Sequence, residues 1–117
     1  MYQKFSIYDK SVSDLKIYNF LLRFINFTAP FEGETEVHKN VNDLYIVYSG
    51  NAKVYISNSF SGGKEIEEGE LRGCDIKDFD IVEIKDGDVL LIPANTAHKL
   101  IVEDGVFMQF ILKIPKQ

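Results

Sequence analysis

The sequence is poor in the residues that cross-link or interrupt small proteins. Its 117 residues include one cysteine, three prolines and no tryptophan. A single cysteine excludes an internal disulfide and a cysteine-based zinc finger. No apolar run reaches the roughly 18 residues of a membrane-spanning helix, and the N-terminal residues are polar where a secretory signal would be apolar. We therefore expect a cytoplasmic protein without a membrane partner.

Positive charge is also in short supply, because 13 basic residues face 18 acidic ones and leave a formal net charge of −5. Such a chain lacks the general attraction to phosphate backbones on which nucleic-acid binding depends. We therefore expect no nucleic-acid partner. The G-x-S-x-G elbow, the P-loop and the G-x-G-x-x-G sequence are absent as well, so hydrolase, NTPase and dinucleotide-enzyme interpretations have no support.

What the sequence does contain is a series of short apolar runs rich in Val, Ile, Tyr and Phe, separated by turns with Gly, Asn and Asp. This pattern is typical of antiparallel strands joined by hairpins. It predicts an all-β sandwich or barrel, with a jelly roll as the leading architecture. The predicted strands are 18–28, 44–48, 52–57, 81–85, 89–92, 98–102 and 106–114. A short helical turn is predicted at 11–16, and a long irregular segment, a candidate lid or rim, at 59–80.

The last predicted strand shows the clearest alternation of residue types. Phe107, Gln109, Ile111 and Lys113 share one face, and the other face carries only apolar residues. Because both faces carry apolar groups, we expect this strand to be central in its sheet.

The first candidate for chemistry is the segment that ends at His98. It runs from Gly87 through Pro93 to His98 and resembles the second motif of the cupin superfamily, G-x5-P-x-G-x2-H-x3-N. Asn95 replaces the usual glycine, and Val102 replaces the usual asparagine. Asparagine is the non-glycine residue best able to adopt a left-handed backbone conformation, so this departure is mild.

The second candidate is the segment around the other histidine, His38. It resembles the first cupin motif, G-x5-H-x-H-x3,4-E-x6-G, with His38 as the second histidine, Asp43 at the glutamate position and Gly50 as the closing glycine. Glu36 takes the place of the first histidine, and Pro30 takes that of the leading glycine.

These two matches imply a double-stranded β-helix, the jelly-roll barrel of a single-domain cupin over residues 1–117. The first motif lies at about 30–50 and the second at about 87–102. The chain is similar to compact mannose-6-phosphate-isomerase-like cupins. The resemblance also implies a homodimer, with residues 2–8 at its interface.

The residues themselves support a metal site. Glu36 and His38 are two apart, so on a strand they project from one face, and Asp43 opens the next strand. If His98 reaches the same point from across the barrel, two carboxylates and two imidazoles meet. That donor set suits a divalent Fe, Mn, Ni, Co or Zn ion. A six-coordinate ion would keep about two positions for water or a bidentate substrate.

Three functions stay open at this stage. The first is metal-assisted isomerisation or epimerisation of a small oxygen-rich metabolite, such as a sugar, sugar acid or keto compound. The second is an Fe(II)-dependent dioxygenase. The third is a non-catalytic cupin that binds a small ligand without metal.

Beside the predicted ligands, three further residues carry side chains capable of chemistry. Tyr45 shares the parity of Asp43 and is the candidate catalytic group, as a donor of a hydrogen bond or a proton; a core aromatic is its alternative role. Arg72, within 59–80, is either a clamp for a carboxylate or phosphate or a surface salt bridge. Cys74 is expected to be inert because it has no basic neighbour.

Overall fold

The runs of β-branched and aromatic residues form strands throughout the computed structural model, which describes residues 2–116. The strands are β1 (Val12–Ile17), β2 (Phe20–Thr28), β3 (Phe31–Glu32), β4 (Glu36–His38), β5 (Val41–Ser49), β6 (Asn51–Ser57), β7 (Ser59–Ser61), β8 (Lys64–Glu67), β9 (Glu70–Arg72), β10 (Asp75–Lys77), β11 (Asp80–Lys85), β12 (Val89–Ile92), β13 (Ala97–Val102) and β14 (Val106–Pro115). Within this range, no helix has the length and apolar character to cross a bilayer.

Two antiparallel sheets enclose the main core. The first has the strand order β1-β2-β14-β5-β12, and the second has the order β11-β6-β13-β4-β9-β8 with β3 beside β13. Strands β7 and β10 form a separate pair. The buried core combines residues of both sheets, including Tyr45 and Phe107 from the first and Val54 and Val102 from the second. This double-sheet architecture confirms the predicted all-β jelly roll.

The predicted central strand is confirmed, because β14 lies between β2 and β5 and pairs with both. Its alternate residues Phe107, Gln109 and Ile111 are buried. The same face continues to Lys113, whose Cα partner on β5 is Asp43. The interior face of β14 therefore changes from apolar to charged as the strand approaches the end of the barrel where Asp43 lies.

The helical turn predicted at 11–16 is wrong, because residues 12–16 belong to strand β1. β1 pairs with β2 from Val12 opposite Ile25 to Ile17 opposite Phe20. The hairpin between them turns at Tyr18, whose φ is 52°. A single helical turn would have formed few backbone hydrogen bonds, whereas pairing with β2 satisfies a whole row of them.

The segment 59–80, predicted to be irregular, carries the four short strands β7 to β10. Strand β9 pairs with β4 and so joins the segment to the second sheet beside His38. A small second core anchors the segment: Val37, Cys74 and Ala97 are buried together, with Leu71 packed against them. The segment therefore forms the wall next to one predicted ligand.

Candidate metal centre

Three of the four predicted ligands meet between the two sheets. His38 comes from β4, Asp43 from β5 and His98 from β13, and each is at most 4% exposed. Their donor atoms all lie within 4.8 Å of one another. Two imidazoles and one carboxylate form a group that could hold a divalent metal ion.

The alternation of β4 and a tight loop before β13 bring the histidines together. On β4 the buried Val37 points into the small second core, so His38 points to the opposite face. On β13, the Cα of His98 lies opposite that of Glu36. The backbone N–H of Asn95 donates to the His38 carbonyl at 2.8 Å. Asn95 has φ 63°, the left-handed conformation expected for a residue in the glycine position of the second motif.

The carboxylate of Asp43 stands between the two imidazoles. Its Oδ2 lies 3.1 Å from His38 Nε2 and 3.6 Å from His98 Nε2. Donor atoms bound about 2.1 Å from one ion are separated by roughly 3.0 to 3.4 Å in octahedral and tetrahedral arrangements. The separation from His38 falls in this range and the one from His98 lies just above it, so a small movement of the His98 ring would let both histidines and Asp43 bind one ion.

His98 supplies the most direct sign of such an ion. Its Nδ1 lies 3.1 Å from the Thr96 carbonyl, and a carbonyl can only accept, so Nδ1 carries the proton and donates. The other nitrogen, Nε2, then carries a lone pair and no proton. It is buried and has no hydrogen-bond partner among residues 2–116. A buried base in this state costs stability unless something satisfies it, and a metal ion would do so.

A second row of polar contacts orients His38. Its Nδ1 lies 2.6 Å from Glu70 Oε1 on β9. Arg72 Nη2 lies 3.3 Å from the same oxygen and 3.1 Å from Glu36 Oε1. A carboxylate on the far nitrogen of a ligating histidine fixes the ring and makes the metal-facing nitrogen a better donor. Glu70 occupies that position here.

Asp43 is kept ionised in spite of its burial. Burial by itself would raise its pKa, but the hydrogen bond with His38 and the charge of Lys113 lower the pKa of Asp43 to about 2. Lys113 Nζ lies 2.9 Å from Oδ1 of Asp43. One carboxylate oxygen is thus held by the lysine, and the other faces the histidines.

The pKa values of the two histidines shift in opposite directions. Burial lowers the pKa of His98, and the nearby charge of His38 lowers it further. Burial also opposes charging of His38, but hydrogen bonding to Asp43 and Glu70 outweighs it and the pKa of His38 is raised. His98 is therefore the imidazole that stays neutral to lower pH, and His38 is the one at which a proton competes more strongly with a metal ion.

The structure does not bring Glu36 into the three-residue group. Its Oε1 lies 3.9 Å from His38 Nε2 and closer, 3.1 Å, to Arg72. Its side chain is also 38% exposed, unlike those of the other three. Glu36 as the fourth ligand stays a prediction.

Tyr45 lies next to the centre, as its parity with Asp43 predicted. It is 4% exposed, and its ring meets that of His98 edge-on with centroids 6.4 Å apart. It lines a cavity of about 140 Å³ that Glu36, Asp43 and Lys113 also line. Burial raises the pKa of Tyr45 well above its ordinary value, so the phenol stays neutral and can donate a hydrogen bond. Its catalytic role stays a prediction.

Sequence reasoning missed three residues at this site, namely Glu70, Lys113 and Arg23. The alternation of the last strand puts Lys113 on the same face as Gln109, and this parity is the signal that indicates its position at the site. Arg23 lines the cavity from β2. Glu70 gave no local signal, because its approach to His38 depends on the pairing of β9 with β4.

The comparisons with known proteins give structural neighbours only. No family model matches the sequence. No curated protein matches it significantly. Among solved structures, the chain is similar to the plu4264 protein from Photorhabdus luminescens, with a TM-score of 0.67 and 17% identity over 99% of this chain and 88% of that one. It is similar to KdgF from Halomonas sp., with a TM-score of 0.64 and 14% identity over 91% and 78% of the two chains.

Other neighbours are longer proteins. The DMSP lyase DddQ from Ruegeria pomeroyi DSS-3 matches with a TM-score of 0.56 and 15% identity over 81% of this chain. The chain spans 38% of DddQ and 64% of BH2720 from Bacillus halodurans. Identities this low establish the fold alone. The protein has the cupin fold, a double-stranded β-helix that holds His38, Asp43 and His98 together in its interior.

Proposed function

We propose that the protein is a metal-dependent enzyme that acts on a small oxygen-rich metabolite by isomerisation or epimerisation. The observation that carries the proposal is the buried Nε2 of His98, which has no hydrogen-bond partner in the described part of the chain and converges with His38 and Asp43 on one point.

The group suits a divalent Fe, Mn, Ni, Co or Zn ion, with His38, Asp43 and His98 as its ligands. Such an ion supplies Lewis-acid chemistry, which polarises a carbonyl oxygen of the substrate. The adjoining cavity of about 140 Å³ is smaller than the roughly 300 Å³ of common drug-sized sites, so it selects a small substrate.

The chain's own residues divide the remaining work. Lys113 keeps Asp43 ionised through its contact with Oδ1. Tyr45 presents a neutral phenol that can hydrogen-bond a substrate oxygen. Glu36 lines the same cavity, and its carboxylate is placed either to complete the ligand set or to accept a proton from the substrate.

Proton exchange with solvent tests the reaction class. Metal-loaded protein is incubated in D₂O with aldoses, ketoses, sugar acids and keto acids, and the spectra are followed by proton NMR. Isomerisation or epimerisation next to a carbonyl replaces a C–H proton by deuterium, so we expect exchange that disappears in Asp43→Asn. Binding of these compounds with no deuterium exchange in any of them would contradict the proposed isomerisation or epimerisation.

One observation favours a second candidate. Two histidines and one carboxylate are the ligand set of the non-haem Fe(II) oxygenases. Consumption of dioxygen by the Fe(II)-loaded protein in the presence of the same compounds would identify a dioxygenase. One neighbour of this fold is itself an enzyme, the DMSP lyase DddQ, which supports enzymatic use of the barrel but indicates no substrate here.

A cytoplasmic location, a homodimer and the absence of nucleic-acid and membrane partners remain proposals. For the dimer, light scattering of the purified protein gives the mass directly.

A further inference from the structure

Two cationic side chains stand in the cavity beside the candidate metal ligands. Lys113 on β14 and Arg23 on β2 both line it. Because Arg23 is paired with Ile111, two residues before Lys113, the two cations are diagonal neighbours on adjacent strands of the same sheet. Diagonal neighbours are about 7 to 8 Å apart at Cα, which long side chains can bridge.

Both cations line the cavity and have donors without a protein acceptor among the described residues. Arg23 uses Nε and Nη2 to hold Asp14 at 2.8 and 3.0 Å, so Nη1 has no protein acceptor among the described residues. Lys113 Nζ contacts only Asp43 within residues 2–116, so two of its three N–H groups are uncommitted. The Lys113 side chain is only 17% exposed, and water therefore competes weakly for these donors.

The charged groups around the cavity would have a net charge of about +1 when a divalent ion is bound. Asp14 pairs with Arg23 and Asp43 with Lys113, and Glu36 lines the cavity as a third carboxylate, which gives an excess of one negative charge. Glu70 and Arg72 cancel each other. A divalent ion on neutral histidines turns the balance to one positive charge. Lys113 and Asp43 are the largely buried members of this set, so an anionic ligand beside them would offset the added charge where solvent screens it least.

We propose that Lys113 and Arg23 form a subsite for the carboxylate of the substrate, which makes the substrate a small hydroxy or keto carboxylic acid. This inference rests on the proposed metal-dependent function. Arginine and lysine side by side suit a carboxylate, because the guanidinium offers parallel donors and the ammonium a point charge.

The test compares glycolate with its neutral amide, glycolamide. Both carry a hydroxyl and a carbonyl oxygen, and only glycolate carries the charge. Binding to the Zn²⁺-loaded protein is followed by NMR titration of the ¹⁵N-labelled chain, including the Arg23 Nε signal. We expect glycolate to bind at least tenfold more tightly than glycolamide and to shift that signal.

The variants Lys113→Gln and Arg23→Gln should each reduce this preference about tenfold, since each removes a charged hydrogen-bond donor. Lys53→Gln is the matched control, because Lys53 lies on the outer side of β6 and pairs with Glu103; it should leave the preference unchanged. An unchanged preference in both cavity variants would overturn the subsite, as would equal binding of the two probes to the wild type. Arg23→Gln keeps the test decisive if Lys113→Gln does not fold.

Zinc content is measured in every sample by plasma mass spectrometry. Full zinc without a charge preference overturns the carboxylate subsite and leaves the metal proposal standing. A wild type that takes up no zinc or other divalent ion overturns the proposed function itself.

Discussion

The carboxylate of Asp43 contacts Lys113 on one side and two histidines on the other, and the contact with Lys113 fixes its orientation. Lys113 Nζ lies 2.9 Å from Oδ1, which leaves Oδ2 to face His38 and His98. The two residues are direct Cα partners on β14 and β5, so the sheet register itself sets this contact. The carboxylate is therefore ionised and oriented before any metal ion arrives.

The position of Glu36 predicts a mild effect of its replacement on metal binding. Glu36→Gln should keep the metal ion, with affinity reduced less than tenfold, because the Oε1 contact is with Arg72 rather than with the ligand group. Glu36→His should retain or tighten binding, because imidazole is the donor at this position of the motif. Affinities are measured by competition with a zinc-sensitive dye. Complete loss of metal in Glu36→Gln would instead identify Glu36 as an essential ligand.

Glu70 should matter for metal affinity although it cannot reach the ion. Glu70→Gln weakens the contact that orients His38, and such changes usually reduce metal affinity about 10- to 100-fold. Glu67→Gln is the control, because Glu67 is opposite Glu70 on β8 and exposed. The same dye competition measures both variants. Equal affinity for Glu70→Gln and wild type would contradict the orienting role.

Replacement of the buried Gln109 by an apolar residue should make the protein more stable. It is fully buried between Ile25 and Val47, and neither amide atom has a hydrogen-bond partner within residues 2–116. Gln109→Leu keeps the volume and removes the unsatisfied atoms, so the free energy of unfolding should rise by about 1 to 2 kcal/mol. Urea unfolding measures it, with Gln109→Glu as the opposite, destabilised case. A loss of stability in Gln109→Leu would show that the amide makes a favourable interaction.

The pair of Asp14 and Arg23 predicts a small pH-dependent stabilisation. The hydrogen bond from Arg23 lowers the pKa of Asp14, so the pair stabilises the fold above the ordinary carboxyl pKa and this contribution is lost as pH falls through the lowered value. Both side chains are more than a third exposed, which limits the effect to about 0.5 kcal/mol. Urea unfolding should show Asp14→Asn less stable than wild type at pH 7 and equal to it in acid. A difference that persists in acid would mean that the substitution acts through packing.

The strand faces at the site could be predicted because alternation is local. Parity along β5 put Asp43 and Tyr45 inward, and both are buried in the structure. Three of the four predicted ligands converge for the same reason, since the motif spacings translate directly into strand positions. Glu36 has the right parity as well, but its environment depends on Arg72, which lies far along the chain.

What could not be predicted depends on contacts between distant segments. Glu70 and Arg72 reach the site only because β9 pairs with β4, a match of two three-residue strands that carries no periodic signal. The strand β1 was missed for a similar reason, because its pairing with β2 outweighs the weak local preferences of residues 11–16.

The central claim is that His98 ligates a metal ion together with His38 and Asp43. The most direct measurement is elemental analysis by plasma mass spectrometry of the wild type, His98→Ala and Lys99→Ala. Lys99 is the neighbour of His98 on β13 and pairs with Glu32, so its replacement controls for changes in the strand. We expect near-stoichiometric metal in the wild type and in Lys99→Ala, and none in a folded His98→Ala. Equal metal content in His98→Ala, or no metal in any of the three, would contradict it.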